Sequence, residues 1–222
     1  MKQIALGMAL LVSLSIQAQG TRTVPGNVTD AQGLKQGVWI EHHANEMVRR
    51  VEHYENGRRN GLALTLRATG EIEAEEYFVN DTLSGEQRYY HGGGKIKEIT
   101  AYKGSKLHGL QRKYYAAGSI QEETNYTMGV KDGLAKWYYA DGKLSGEYPY
   151  VNGEITGEVR NYYPSGTLMS MLTFRKSVLD GPSVEYHENG KEKMKGVYKN
   201  GDKKGVWLTM DETGKVISKE KF

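Results

Sequence analysis

Glycine recurs at a fixed interval, and that interval limits what the chain can become. Gly37, Gly61, Gly85, Gly109, Gly133, Gly157, Gly181 and Gly205 stand 24 residues apart. Nine residues after seven of them comes a second glycine (Gly70, Gly94, Gly118, Gly142, Gly166, Gly190, Gly214), and only Glu46 breaks the series. Seventeen residues after each anchor comes an aromatic: Tyr54, Phe78, Tyr102, Tyr126, Tyr150, Phe174, Tyr198 and Phe222. Eight repeats therefore fill residues 37–222, and no stretch is left for a separate catalytic domain. These glycines are structural markers.

One repeat reads as one hairpin. In Gly133–Tyr150, GLAKWYYADGKLSGEYPY, an aromatic run meets Ala140-Asp141-Gly142 and a second run follows. Three residues ending in glycine fit a type I turn closed by a left-handed residue. Asn56-Gly57, Asn152-Gly153 and Asn200-Gly201 mark links between repeats. The fold expected is all-β: an elongated, twisted, single-layer antiparallel meander of up to sixteen short strands. The rest of the composition fits, with 16 Tyr, 28 Gly and a mean hydropathy of −0.65.

The turn fixes a register. It sets Tyr90 opposite Ile96, Tyr114 opposite Ile120, Tyr138 opposite Leu144, Tyr162 opposite Leu168, Leu66 opposite Ile72 and Met210 opposite Val216. These pairs form an apolar spine interrupted by His42 and Glu192, the expected source of stability. Carried on without a break, the same register alternates Arg88, Glu98, Arg112, Glu122 and Lys136 along one row. It turns Glu71, Glu73, Glu75, Lys95, Lys97, Lys191, Lys193 and Lys195 to the opposite face. In the central repeats that face carries Tyr115, Trp137, Tyr139, Val159, Tyr163, Met169 and Met171 instead. An aromatic and Met-rich patch on a polar face is either a partner site or a small second core under a curled sheet.

Several classes are excluded. There are no cysteines, so disulfides, zinc–thiolate sites and cysteine nucleophiles are absent. A net charge of +3 argues against nucleic acid as a partner. No phosphate loop, nucleophile elbow or HExxH motif occurs, so neither catalysis nor a cofactor is expected. His42, His43 and His53 lie near Glu41 and Glu52, but adjacent histidines on a strand point to opposite faces, so no metal site is expected. Trp39 and Trp207 hold the same position in the first and last repeats and are read as caps, or as platforms for a sugar. The row Arg88, Arg112, Lys136, Arg160 is either an anion groove or a set of cross-strand ion pairs; Arg160, between Gly146 and Ser170, is its most available member.

Residues 1–20 have the layout of a secretory signal peptide: Lys2, an apolar run from Ile4 to Ile16, then Gln17-Ala18-Gln19-Gly20. Residues 21–36 form a lead-in. Export to the periplasm, the outer membrane or the outside is expected.

The pattern G-x-x-x-x-Y-Y-x-x-G-x-(L/I), followed by an aromatic and Asn-Gly, resembles the MORN repeat variant, and looks like the repeat of YwqK-type toxin–antitoxin antitoxins. Gly109–Tyr126, Gly133–Tyr150 and Gly157–Phe174 match it best, and the likeness runs over 37–222. The resemblance implies a twisted single-layer sheet that works by binding. It supplies no site residues, because the shared pattern is structural, and a signal peptide would remove the chain from a cytoplasmic toxin. The expectation is an exported protein-binding scaffold. Its candidate contacts are Tyr115, Trp137, Tyr139, Arg160, Tyr163, Met169 and Met171. An antitoxin, a glycan or cell-wall module, a lipid-headgroup binder and edge-to-edge self-association are the alternatives.

Overall fold

The computed structural model describes residues 26–222, so the signal-peptide reading falls outside the described residues. The regular structure of that stretch is all strand, and each strand pairs antiparallel with its sequence neighbours in one open meander. The first strand of the fifth repeat, Gly133–Tyr138, pairs with the second, Leu144–Val151. The chain then turns through Asn152-Gly153 into a two-residue strand, Glu154–Ile155, which pairs back onto Val151 and Tyr150.

Both turns follow from backbone sterics. At the hairpin tip, Gly142 N–H donates to Tyr139 C=O at 2.9 Å, and Gly142 sits at φ +87°. At the links both central residues have positive φ, as at Asn152 (50°) and Gly153 (84°), the two-residue turn whose twist matches the strands. All eight anchor glycines also have positive φ, from 67° at Gly37 to 141° at Gly181. Five of them begin a strand just after a two-residue strand, and Gly37, Gly181 and Gly205 lie at the equivalent point inside one continuous strand. At Gly181 a Cβ would also lie 2.8 Å from the Thr173 side chain, so both conformation and space require glycine there.

All the expected tip pairs form, including Tyr90 with Ile96 and Tyr138 with Leu144. The register does not continue unbroken. In every repeat a bulge follows that pair, so Trp137 faces Gly146 rather than Ser145, and Tyr89 faces Glu98 rather than Lys97. A one-residue slip moves each later residue of the second strand to the other face.

Two corrections result. The charged row joins Arg112 to Glu123, Glu123 to Lys136, Lys136 to Glu147 and Glu147 to Arg160; Glu98 and Glu122 lie on the other face, opposite Lys113. The buried side chains also lie away from the apolar spine. Ala63, Ala74, Phe78, Ala135, Val159 and Trp207 are buried together with Gln87, Thr100, Gln111, Glu122 and Thr124. All of them are on the face opposite the spine, here called the inner face. Of the spine residues only Met210 is buried.

At the first repeat the strand Lys35–His42 begins before Gly37. Lys35 occupies the position that Arg59, Lys131 and Lys203 hold later, so the lead-in already contains the end of one repeat unit. Val28–Thr29 pairs with Lys35 and Gln36, and Asn27 bonds the edge further along. Its own N–H donates to Val38 C=O, its side-chain amide donates to Ile40 C=O, and its side-chain oxygen accepts from Ile40 N–H.

The first repeat departs from the glycine series at Glu46, which holds the left-handed conformation at φ 66° without glycine's freedom. Left-handed geometry costs a non-glycine residue roughly 1–2 kcal/mol. Glu46→Gly is therefore expected to raise stability by about 1 kcal/mol in urea denaturation; an unchanged or lower midpoint would contradict the strain.

Candidate binding surfaces

A single-layer sheet has to cover its inner face with its own residues. The aromatic seventeen residues after each anchor lies on that face, and the residue five further on pairs with it across the link. In four repeats a cation from the preceding link lies over the rings. Lys35 Nζ is 4.3 Å from the Trp39 ring centre, Arg59 Cζ 4.0 Å from Phe78, Lys131 Nζ 5.0 Å from Tyr150, and Lys203 Nζ 4.4 Å from Trp207. Leu83, Leu107, Ile155 and Leu179 hold that position in the other repeats.

Many polar groups on the inner face are paired, although the Thr100 hydroxyl, Gln111 Oε1 and the Trp207 indole N–H have no partner among the described residues. Arg50 bridges Glu52 (2.9 Å) and Glu76 (3.4 Å); Gln111 donates to Glu98 (2.7 Å); Lys113 meets Glu122 (2.9 Å), which also accepts from Thr124 (2.8 Å). Burial alone opposes charge on Glu122, but the Lys113 ammonium and Thr124 hydroxyl outweigh it and hold the carboxyl below its ordinary range. Gln87, fully buried, fills the gap at its link: Tyr77 N–H donates to its Oε1 at 2.5 Å, and its Nε2 donates to Ser84 C=O at 2.9 Å. Tyr148 donates to Asn161 at 2.7 Å, and Asn161 donates to Ser170 at 3.0 Å.

A second pattern runs along the hairpin tips. The side chain six residues after the anchor donates to a backbone carbonyl of the next repeat at all seven joints. His43 bonds Leu66 C=O (2.8 Å), Arg67 bonds Tyr90 (2.9 Å), His91 bonds Tyr114 (2.9 Å) and Tyr115 bonds Tyr138 (2.8 Å). Tyr139 bonds Tyr162 (2.6 Å), Tyr163 bonds Tyr186 (2.8 Å) and His187 bonds Met210 (2.9 Å). Each accepting carbonyl belongs to the residue just before the equivalent donor, so the joint is the same although the donor is His, Arg or Tyr.

These patterns place the candidate contacts. Tyr115, Tyr139 and Tyr163 hold the joints between repeats. Trp137 lies on the inner face, edge-on to Tyr148 with ring centres 4.6 Å apart. Gly146 makes room there, since a Cβ would come within 2.7 Å of the Tyr148 ring. Val159 is buried. Met169 is the bulge residue and lines a shallow inner-face cavity of about 270 Å³ with Tyr163, Ser170, Leu172, Glu185, Tyr186 and Lys193. The bulge sends Met171 to the outer face, opposite Arg160 and Val184, so Met169 and Met171 do not share a surface. Arg160 lies between Glu147 and Met171, not Gly146 and Ser170, and is ion-paired with Glu158 at 2.6 Å and Glu147 at 3.9 Å. It is not the available cation expected.

The outer-face row is a neutralised ladder. Arg88 meets Glu86 (2.6 Å) and Glu75 (3.7 Å), Arg112 meets Glu123 (2.8 Å), and Lys136 meets Glu147 (3.9 Å). The Arg112 hydrogen bond holds the Glu123 carboxyl below its ordinary value, and burial together with the bond to Glu123 pushes the Tyr138 hydroxyl up to about 12. Trp39 donates its indole N–H to Val28 C=O at 3.2 Å, whereas Trp207 is a buried core residue packed edge-on against Tyr198 and Phe222. Residue patterns did contain the signal for the joints: every repeat from the first to the seventh has a long side-chain donor at that position.

Four segments match the MORN repeat variant family: residues 107–127, 131–152, 155–176 and 179–200. No curated protein matches the chain. Among solved structures, one titled "Crystal Structure of TcdB2-TccC3" is 10% identical, with 82% of this chain aligned to 14% of that one at a TM-score of 0.18. Another, "Crystal Structure of TcdB2-TccC3-Cdc42", is 12% identical, with 86% aligned to 15% at 0.17. This chain thus spans about one seventh of either, and at those scores the likeness carries no argument about fold or partner.

The joint bonds give a direct test. Tyr139→Phe leaves Tyr162 C=O without its donor and is expected to lower stability by about 1 kcal/mol. Tyr114→Phe removes a hydroxyl with no protein partner among the described residues and should change it by only a few tenths. Equal effects in denaturant titrations would remove the joints from the account.

Proposed function

We propose that the chain is a non-enzymatic binding scaffold that recognises a protein partner through the inner face of its central repeats, between Gly109 and Tyr186. The MORN-variant repeats favour a scaffold, since their shared pattern builds strands and turns. Export belongs to the same proposal and rests on the sequence of residues 1–20.

One observation carries the choice of surface. The cavity beside Tyr163 and Met169 has an apolar floor, from Met169 and Leu172, and a half-buried carboxylate, Glu185, on its wall. Among other carboxylates of the inner face, Glu52, Glu76 and Glu122 have a cation within 4 Å and Glu98 accepts from Gln111, but Glu185 has neither among the described residues. A recess with an apolar floor, the Glu185 carboxylate on one wall and the Lys193 side chain also on its lining suits a single long side chain with a polar end. Tyr163 lines the recess itself, whereas Trp137, Tyr115 and Tyr139 support it from neighbouring repeats rather than forming the contact.

The test is crosslinking capture from native envelopes with residues 21–222 as bait, beside a Met169→Lys variant. The lysine would fill the recess and approach Glu185 while leaving the joint bonds intact. The expected result is one protein retained by the wild type and lost with the variant at unchanged thermal stability. The same proteins on both baits would exclude this face as the binding surface.

A further inference from the structure

The neutralised ladder of the outer face stops at the seventh repeat. Beyond Arg160 the row runs Met171, Val184, Lys195, Leu208, Lys219, each opposite the next across the sheet. Beside it lie Pro182 opposite Val197, Val197 opposite Lys204, and Val206 opposite Lys221. Apolar residues and lysines alternate there, where the central repeats alternate cations with carboxylates. Lys195 has Glu192 at 2.6 Å. Lys204, Lys219 and Lys221 are exposed and have no carboxylate within ion-pair distance among the described residues.

The apolar part of this surface is open. A groove of about 360 Å³ lies over Pro182, Val184, Val197, Val206 and Leu208. A second, of about 330 Å³, lies over Leu208, Met210 and Val216. Both are lined by Lys195 and Leu208, so they form one trough across four strands, roughly 15 Å at ordinary strand spacing. Val197 and Val206 are 46% and 45% exposed, although β-branched residues on a strand ordinarily mark its covered face.

We propose that this trough is a second binding site, which takes an acidic segment of a partner protein with aliphatic side chains interleaved among its carboxylates. The occupant follows from charge and shape. Three uncompensated ammonium groups at the rim call for carboxylates, and matching cations is the role that Glu123 and Glu147 fill in the fourth and fifth repeats. The apolar floor calls for aliphatic side chains, which a small free anion lacks. Side chains of an extended segment alternate sides, so one built of pairs, Glu-Glu-Val-Val, presents carboxylates and aliphatic groups in turn on the side that meets the trough. The site lies on the opposite face from Met169 and does not depend on the inner-face reading.

The experiment is fluorescence anisotropy of the protein, residues 21–222, against a labelled (Glu-Glu-Val-Val)2 peptide. The comparisons are (Lys-Lys-Val-Val)2, (Glu-Glu-Ser-Ser)2 and vesicles of phosphatidylglycerol. The expected result is binding of (Glu-Glu-Val-Val)2 that exceeds both control peptides and weakens with salt. The double variant Lys219→Glu/Lys221→Glu should weaken it by about tenfold or more, as charge reversal at an interface rim does. Val197→Ser/Val206→Ser should also weaken it, and Met169→Lys should leave it unchanged. Both lysines lack partners, so thermal melting of that variant is expected to match the wild type and separates lost binding from lost fold. Equal affinity for the acidic and basic peptides, binding insensitive to both double variants, or binding of the vesicles alone would overturn the proposal.

Discussion

Every repeat here depends on its neighbours because the sheet is one layer thick. A strand buries side chains only if something covers them, and a sandwich uses its second sheet for that. The described residues form no second sheet, so each link supplies the cover for the repeat that follows. Lys35, Arg59, Lys131 and Lys203 lie on rings of the next unit, and the aromatic column and the bulge close the rest. So thin a core admits polar groups, and Gln87, Thr100 and Thr124 are among its most buried side chains. Gln87 and Thr124 are bonded, Gln87 completing the backbone pairing that the link leaves open and Thr124 donating to Glu122, whereas the buried Thr100 hydroxyl has no partner among the described residues.

The same constraint explains why the spacing of 24 residues is kept while residue types vary. The tip donor is histidine, arginine or tyrosine, yet each reaches one carbonyl of the next repeat. Interactions of this kind sum between nearest neighbours, so stability is spread along the array rather than concentrated in one centre. It also leaves the two faces with different duties. The inner face mostly holds the repeats together and keeps one open recess beside Met169. The outer face is neutralised through the middle repeats and left uncompensated toward the last two.

Much of the fold was legible in the residues. Glycine spacing located the hairpins, the Asn-Gly pairs located three of the links, and the turn length set the tip pairs. The bulge was not legible, because its extra residue has no signature: the position is Lys97, Gln121, Ser145 and Met169 in successive repeats. Missing it by one residue inverted the second strand of every hairpin. That put Met171 beside Met169, gave Arg160 the wrong neighbours, and made the exposed spine look like the core. The joint tyrosines misled for another reason. An aromatic patch and a column of hydrogen-bond donors look alike in sequence, and only the carbonyl 2.6–2.8 Å from each hydroxyl distinguishes them. Gly146 and Gly196 were likewise invisible as spaces for Tyr148 and Trp207, since a strand glycine carries no label of what lies over it.

If neighbour-to-neighbour cover holds the molecule together, one whole repeat is dispensable. Deleting Gly133–Thr156 joins Asp132 to Gly157 and puts Tyr115 opposite Tyr162 C=O, recreating the joint that Tyr139 makes. Thermal unfolding of this deletion, followed by circular dichroism, is the most direct measurement. The account predicts a single cooperative transition, unchanged strand signal per residue and a modestly lower midpoint. Loss of the transition, or of the strand signal, would show that the repeats are held by something other than their nearest neighbours.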